Sequence, residues 1–152
     1  MPVPKQDEKR EVTILLVEDD PGHALLIEKN LRRAKVTNQI TVVTDGQAAL
    51  DYLSSENDKT KDDHLLPILV LLDLNIPVLD GYQVLTHMKA DERTKHIPVV
   101  ILTTTDDPRE ITKCYELGCN VYVTKPVDYG QFSEAIHKLG LFISIVAIPN
   151  QS

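Results

Sequence analysis

Five short apolar runs alternate with amphipathic segments along the chain. The runs cover residues 12–17, 40–43, 68–72, 97–102 and 121–124, and several lack polar alternation, which is typical of strands buried on both faces of a parallel sheet. The segments after them repeat apolar residues at helical spacing and begin with the helix-start residues Pro21, Asp45, Asp80, Pro108 and Asp128. The alternation predicts an α/β fold, a three-layer, doubly wound sandwich around a five-stranded parallel sheet with right-handed crossovers.

The run 68–72 leads directly into a single carboxylate, Asp73. Turn-forming residues follow it at Pro77, Asp80 and Gly81, so Asp73 is expected at the carboxyl end of a buried strand. Ligands of open α/β sheets bind at that edge, and Asp73 is therefore the predicted centre of a site. A strand-ending Asp that merely caps the following loop is the alternative.

Polar residues follow three other predicted strands. Glu18 and Asp19 come after the first strand, Thr103 after the fourth and Lys125 after the fifth. Parallel strands bring these side chains to one edge with Asp73, where three carboxylates would repel one another. Carboxylates are hard oxygen ligands, so a divalent cation such as Mg²⁺ would resolve the repulsion. Taken singly, each residue also fits a solvated surface charge or a loop cap.

Length and cysteine content suit one domain with a full core. The 152 residues divide into a polar lead-in at 1–11, expected to be disordered, a domain at 12–139 and an apolar extension at 140–152. Cys114 and Cys119 are too few for a disulfide framework or a structural zinc site, so both are predicted to be small buried apolar residues.

Charge and hydropathy exclude several kinds of partner. A net charge of −7 argues against direct nucleic-acid binding, which requires a basic patch. No apolar run approaches the roughly 20 residues of a membrane span, and the charged start does not resemble a secretory signal. We therefore expect a cytoplasmic protein that binds no membrane.

Four motifs together resemble the receiver domain of response regulators in two-component signalling. They are Leu16-Val-Glu-Asp-Asp20, Leu71-Leu-Asp-Leu-Asn-Ile-Pro77 with Asp80-Gly81, Leu102-Thr-Thr104, and Tyr122-Val-Thr-Lys-Pro126. The resemblance implies the flavodoxin-like strand order 2-1-3-4-5. The long 54–64 loop, the 102–104 motif and the apolar tail also resemble single-domain regulators associated with cyanobacterial-type phytochromes.

The resemblance also implies a role for each motif residue. Asp73 would accept a phosphoryl group from a sensor histidine kinase, of phytochrome type under the narrower resemblance. Mg²⁺ would be bound by Asp19 and Asp73, by Glu18 through water and by the Asn75 carbonyl. Thr103 would bond the phosphoryl group, Lys125 would pair with its oxygens, Tyr122 would turn inward as a switch, and Pro126 would follow a cis peptide. Beyond its own phosphorylation and dephosphorylation such a protein is not an enzyme.

Three other classes of protein are weaker alternatives. A haloacid-dehalogenase-type phosphatase would need a second Asp where Asn75 stands, because an amide cannot transfer protons. A nucleotide binder would need a Gly-rich phosphate loop where the acidic residues 18–20 stand. A purely structural pseudo-receiver would not need the intact acidic residues, Thr103 and Lys125.

The tail is almost wholly apolar from residue 139 to residue 149. It either folds back on its own domain or forms an exposed patch, which normally marks an interface. The second reading predicts a two-fold homodimer to which Leu141, Phe142, Ile145 and Val146 contribute.

Overall fold

The computed structural model of the protein describes residues 13–54, 67, 69–125, 130, 134, 137 and 138. Strands and helices alternate as predicted. The order is β1 (Thr13–Val17), α1 (Pro21–Arg33), β2 (Gln39–Val43), α2 (Gly46–Ser54), β3 (Leu69–Leu72), α3 (Gly81–Ala90), β4 (Val99–Thr103), α4 (Pro108–Leu117) and β5 (Val121–Thr124).

The five strands form one parallel sheet in the order β2-β1-β3-β4-β5, which confirms the predicted fold class and strand order. Ile14 of β1 pairs with Ile40 on one side and with Leu69 on the other. The chain leaves β1 toward one edge of the sheet and leaves β3 toward the other. The topological switch therefore lies between β1 and β3, where open α/β sheets form a ligand-binding crevice at the carboxyl ends of the strands.

Side chains that alternate along the strands bury two apolar layers, one on each face of the sheet. One face packs against α1 and contains Ile14, Leu16, Ile27, Leu31, Leu71 and Val100. The other packs against α2, α3 and α4 and contains Leu15, Val70, Leu72, Ala49, Leu53, Val84, Met88 and Ile101, with Cys114 and Cys119. Each large aliphatic side chain buried this way contributes about 1.5–3 kcal/mol. Both cysteines are buried, as predicted.

Several element boundaries differ from the sequence prediction. The first helix, expected to end near Val36, ends at Arg33 because Lys35 adopts a left-handed backbone with φ of 72°. The fourth strand begins at Val99, later than predicted. It continues to Thr103 because β5 extends far enough for Thr124 to pair with Thr103. Thr103 is consequently a buried strand residue rather than a loop residue.

Several predictions concern residues outside the described ones. They are the 1–11 lead-in, the cis peptide before Pro126, most of the helix expected after Asp128, and the extension with Leu141, Phe142, Ile145 and Val146. Within the described part of the chain, no helix combines the length and apolar character needed to cross a membrane.

Candidate acidic site at the strand ends

Backbone hydrogen bonds continue the sheet one residue beyond its strands and fix the site residues at its carboxyl edge. The Glu18 N–H donates to the Val43 carbonyl at 3.0 Å, and the Asp73 N–H donates to the Val17 carbonyl at 3.1 Å. The Lys125 N–H donates to the Thr103 carbonyl in the same way. Residues separated by as many as 107 positions in sequence are therefore held side by side.

Three carboxylates meet at this edge. Glu18, Asp19 and Asp73 can each present an oxygen such that the three oxygens lie within 4.8 Å of one another. Glu18 and Asp73 are buried, whereas Asp19 is exposed and opens the group to solvent. A set of hard oxygen donors with one solvent-facing member suits a divalent cation such as Mg²⁺ or Mn²⁺, which retains water ligands.

The Lys125 ammonium lies among these carboxylates. It donates to Glu18 Oε1 at 2.5 Å and to Asp73 Oδ2 at 3.1 Å, and its side chain is 4% exposed. Its Nζ also lies 3.3 Å from Nδ1 of His23. A buried charge is tolerated when it is paired, and Lys125 offsets the two most buried carboxylates of the site.

Burial dominates the electrostatics of Glu18. It raises the pKa of the Glu18 carboxyl, the hydrogen bond from Lys125 lowers that pKa in part, and the nearby Asp73 carboxylate raises it again. The net direction is upward, because one ammonium does not offset both burial and a second carboxylate. A further cation at this edge would therefore favour the ionised form of Glu18.

Asp73 is held at both of its oxygens. The Asn75 N–H donates to Oδ1 at 3.0 Å, and Lys125 holds Oδ2. The Asn75 side-chain amide reaches the Thr103 hydroxyl, with Nδ2 and Oγ1 3.5 Å apart. The following turn requires a glycine at Gly81, since a Cβ there would lie 2.6 Å from the Asp73 carbonyl oxygen.

Tyr122 lies on the neighbouring strand β5 and is tied to the loop that follows Thr103. Its hydroxyl donates to the Thr105 carbonyl at 2.8 Å, and its N–H donates to the Tyr115 hydroxyl at 3.1 Å. Burial raises the pKa of the Tyr122 hydroxyl to about 12, so the group stays a donor at neutral pH.

The structure thus places the predicted residues Glu18, Asp19, Asp73, Asn75, Thr103 and Lys125 around one edge, with Tyr122 beside them and Pro126 outside the described residues. The sequence analysis missed His23. Its position in the sequence could have indicated it. Only three residues separate β1 from α1, so His23, on the first turn of α1, lies near the carboxyl edge of the sheet.

The chain belongs to the response regulator receiver domain family, whose model matches residues 14–137. It is a receiver-domain response regulator of two-component signalling. Response regulator Rcp1 from a Synechocystis species is 37% identical over 112 residues, which cover 74% of this chain and 75% of the relative.

Solved structures agree with this assignment. A response regulator receiver domain from Rhodospirillum rubrum is 53% identical, with a TM-score of 0.81 and coverage of 88% of this chain and 94% of that one. The phosphorylated cyanobacterial phytochrome response regulator RcpA is 33% identical, with a TM-score of 0.77 and coverage of 90% and 96%. A Mn²⁺-bound form of Rcp1 is 30% identical, with a TM-score of 0.75 and coverage of 93% and 97%. The predicted similarity to phytochrome-associated regulators is confirmed.

Proposed function

We propose that this protein accepts a phosphoryl group on Asp73 from a sensor histidine kinase, in a reaction that requires Mg²⁺, and thereby changes its partner-binding face. The observation that carries the proposal is the contact between Lys125 and Asp73 inside the group of three carboxylates. Asp73 is the buried carboxylate that both the ammonium and the Asn75 N–H orient. Asp19 and Asp73 would hold the metal directly, with Glu18 and the Asn75 carbonyl completing its protein ligands.

The proposed chemistry is a displacement at phosphorus. A carboxylate oxygen of Asp73 forms the new P–O bond as the bond from phosphorus to the donor's leaving atom breaks, and the leaving group departs with the electron pair. Phosphoryl transfer depends mainly on positioning and on neutralising charge. Lys125 supplies a fixed positive charge beside Asp73. A metal held by Asp19 and Asp73 would supply further positive charge to the transferred group.

Thr103 and Tyr122 provide the proposed response to phosphorylation. The Thr103 hydroxyl is buried within reach of the Asn75 amide, and a phosphoryl group on Asp73 would offer it a charged acceptor. A hydrogen bond to a charged group is worth roughly 1.5–3 kcal/mol, and about 1.4 kcal/mol shifts a two-state equilibrium tenfold. Movement of Thr103 would pull on the 103–105 segment that holds the Tyr122 hydroxyl.

A cyanobacterial-type phytochrome kinase is the proposed phosphoryl donor, because RcpA is described as a phytochrome response regulator. The protein would act on no separate substrate, so we do not expect turnover of a generic phosphomonoester.

The direct test is incubation with acetyl phosphate and Mg²⁺ followed by intact-protein mass spectrometry. Wild type should gain one phosphoryl group, and Asp73→Asn should gain none because an amide is a poor nucleophile. Asp51→Asn is the matched control, since Asp51 is an exposed carboxylate on α2 that accepts a hydrogen bond from the Gln47 amide. Equal phosphorylation of Asp73→Asn and wild type would reject the assignment.

The apolar extension is proposed as part of a homodimer contact, on the grounds of its sequence alone. A chain ending at residue 139 should sediment as a monomer and still accept phosphate. A full-length protein that stays monomeric at tens of micromolar, phosphorylated or not, would contradict the dimer.

A further inference from the structure

The Lys125 ammonium has three N–H donors and, among the residues that the structure describes, three partners. Two are the carboxylates of Glu18 and Asp73. The third is Nδ1 of His23, at 3.3 Å. We propose that His23 is a positioning residue for Lys125, an inference that rests on the proposed phosphorylation of Asp73. Its imidazole would hold the third N–H and keep the ammonium aimed between Glu18 and Asp73.

The fold fixes His23 at this place. Asp20 is the N-cap of α1, and its Oδ1 accepts from the Gly22 N–H at 2.8 Å and from the His23 N–H at 3.1 Å. The Asp20 N–H in turn donates to Oε2 of Glu18 at 3.2 Å, while Oε1 of Glu18 receives Lys125. The start of α1 and the acidic site are therefore linked by one series of hydrogen bonds, which the contact between His23 and Lys125 completes.

Burial shows why a fixed acceptor matters here. The Lys125 side chain is 4% exposed, whereas that of His23 is 43% exposed. Because Lys125 is almost inaccessible to water, its third N–H depends on a protein acceptor, and Nδ1 of His23 lies within reach of it. An ammonium anchored at only two points can rotate away from the acceptor carboxylate, and misplaced charge is poorly used in phosphoryl transfer.

An acceptor role fits the distances better than an ion-pair role. The carboxylate oxygens of Glu18 and Asp20 lie 3.9 Å and 3.8 Å from Nδ1 of His23, which is beyond hydrogen-bond range. The ammonium is closer, and it can only donate. We therefore assign the lone pair of Nδ1 to Lys125 and the ring proton to Nε2.

Three variants separate these roles. His23→Leu keeps bulk and removes the acceptor. His23→Asn places an amide oxygen close to the position of Nδ1 and should restore the contact. His87→Leu is the matched control, because His87 lies on an exposed face of α3 and its Nδ1 contacts the Gln83 carbonyl of the same helix.

The first measurement needs neither metal nor phosphate. The Lys125 side-chain resonance, assigned by its loss in Lys125→Met, is followed by ¹⁵N NMR in the metal-free protein. We expect a shifted or exchange-broadened signal in His23→Leu and a wild-type signal in His23→Asn and His87→Leu. A purely structural role for His23 would lower the unfolding temperature without moving this resonance.

The second measurement is the rate of phosphorylation by acetyl phosphate with Mg²⁺. His23→Leu should be slower by about fivefold to tenfold, the effect of losing one hydrogen bond between a buried ammonium and a partly exposed acceptor. His23→Asn should stay within about twofold of wild type. If His23→Leu leaves both the resonance and the rate unchanged, or if His23→Asn behaves like His23→Leu, the positioning role is overturned while the proposed function stands. Should wild type take up no phosphate at all, the proposed function fails, and the NMR comparison still decides the His23–Lys125 contact.

Discussion

Lys125 and Lys89 lie near opposite ends of the sheet, and the groups that surround their ammonium groups differ in charge. Lys125, at the carboxyl edge, donates to the carboxylates of Glu18 and Asp73. Lys89, near the end of α3, donates to the backbone carbonyls of Lys95 and Ile97 at 3.0 Å and 3.2 Å, just ahead of β4. One ammonium is matched by opposite charge, and the other is matched only by neutral dipoles.

The pKa of Lys89 reflects this difference. Burial lowers it, and the nearby Cys119 offsets only part of that effect. Lys89 therefore joins the end of α3 to the segment before β4 through hydrogen bonds to backbone carbonyls. At the other end, the charge of Lys125 offsets carboxylates that would otherwise repel each other, and under the proposed function the same charge neutralises the phosphoryl group that Asp73 accepts. The ammonium of Lys89 thus has a structural role, whereas we expect that of Lys125 to take part in the chemistry.

The largest expected effect is on phosphorylation. Lys125→Met should slow uptake from acetyl phosphate by about a hundredfold to a thousandfold, because it removes a preorganised charge beside the transferred group. Lys89→Met, the matched substitution at the other end, should leave the rate near that of wild type. Rapid-quench measurement with quantification by mass spectrometry would check both. Equal rates in the two variants would remove the chemical distinction between the lysines.

Mg²⁺ should change the stability loss caused by substituting Lys125 but not the loss caused by substituting Lys89. Without metal, Lys125→Met leaves Glu18 and Asp73 as buried like charges and should cost about 3 kcal/mol in the free energy of unfolding. Adding Mg²⁺ should recover part of that loss by binding the native state. Lys89→Met leaves two carbonyls unsatisfied and should cost about 1–2 kcal/mol with or without Mg²⁺.

Urea unfolding with and without Mg²⁺ measures these differences. The double variant Lys125→Met with Glu18→Gln provides the control, since removing one of the stranded carboxylates should recover stability in the absence of metal. A Mg²⁺ response of equal size in Lys89→Met would show that metal stabilises the fold by some route other than the acidic edge.

The difference between carboxylate and carbonyl partners also decides which contacts the sequence can predict. Uninterrupted apolar runs predict buried parallel strands, and the residue after each run lies at the carboxyl edge. The sequence therefore puts Asp73 and Lys125 at the same edge, where the structure has them in contact. The partners of Lys89 could not be predicted, because backbone carbonyls leave no residue-type signal. The end of α1 was misjudged for a related reason. Its left-handed residue is Lys35, whereas glycine is the usual signal for that conformation.

Side-chain partners within the site were also only partly predictable. Strand ends identify which residues share an edge, but they do not say which carboxylate a lysine will contact. The water-mediated metal contact predicted for Glu18 stays a prediction, whereas its contacts with Lys125 and the Asp20 N–H, which the structure shows, have no signal in the sequence. The Glu18 side chain, which is longer than that of Asp, reaches Lys125 along the carboxyl edge, where β3 and β4 separate β1 from β5.

The smallest expected effect is the alkaline pH dependence of stability at Lys89. Because the pKa of Lys89 is lowered in the native state, the native protein releases this proton at a lower pH than the unfolded chain does. In that pH range the unfolded state binds more protons than the native state. The contribution of Lys89 to stability therefore rises with pH until the pH reaches 10.5, the ordinary pKa of lysine, and is level above it. Urea midpoints of wild type minus those of Lys89→Met, taken from pH 8 upward, isolate this contribution from other groups. Cys119 titrates nearby, since burial raises its pKa and Lys89 lowers it, so the comparison is best made with Cys119→Ala in both backgrounds. A difference that falls with rising pH would mean that the Lys89 ammonium is stabilised by its carbonyl partners more than burial destabilises it, and the contrast with Lys125 would then be one of degree.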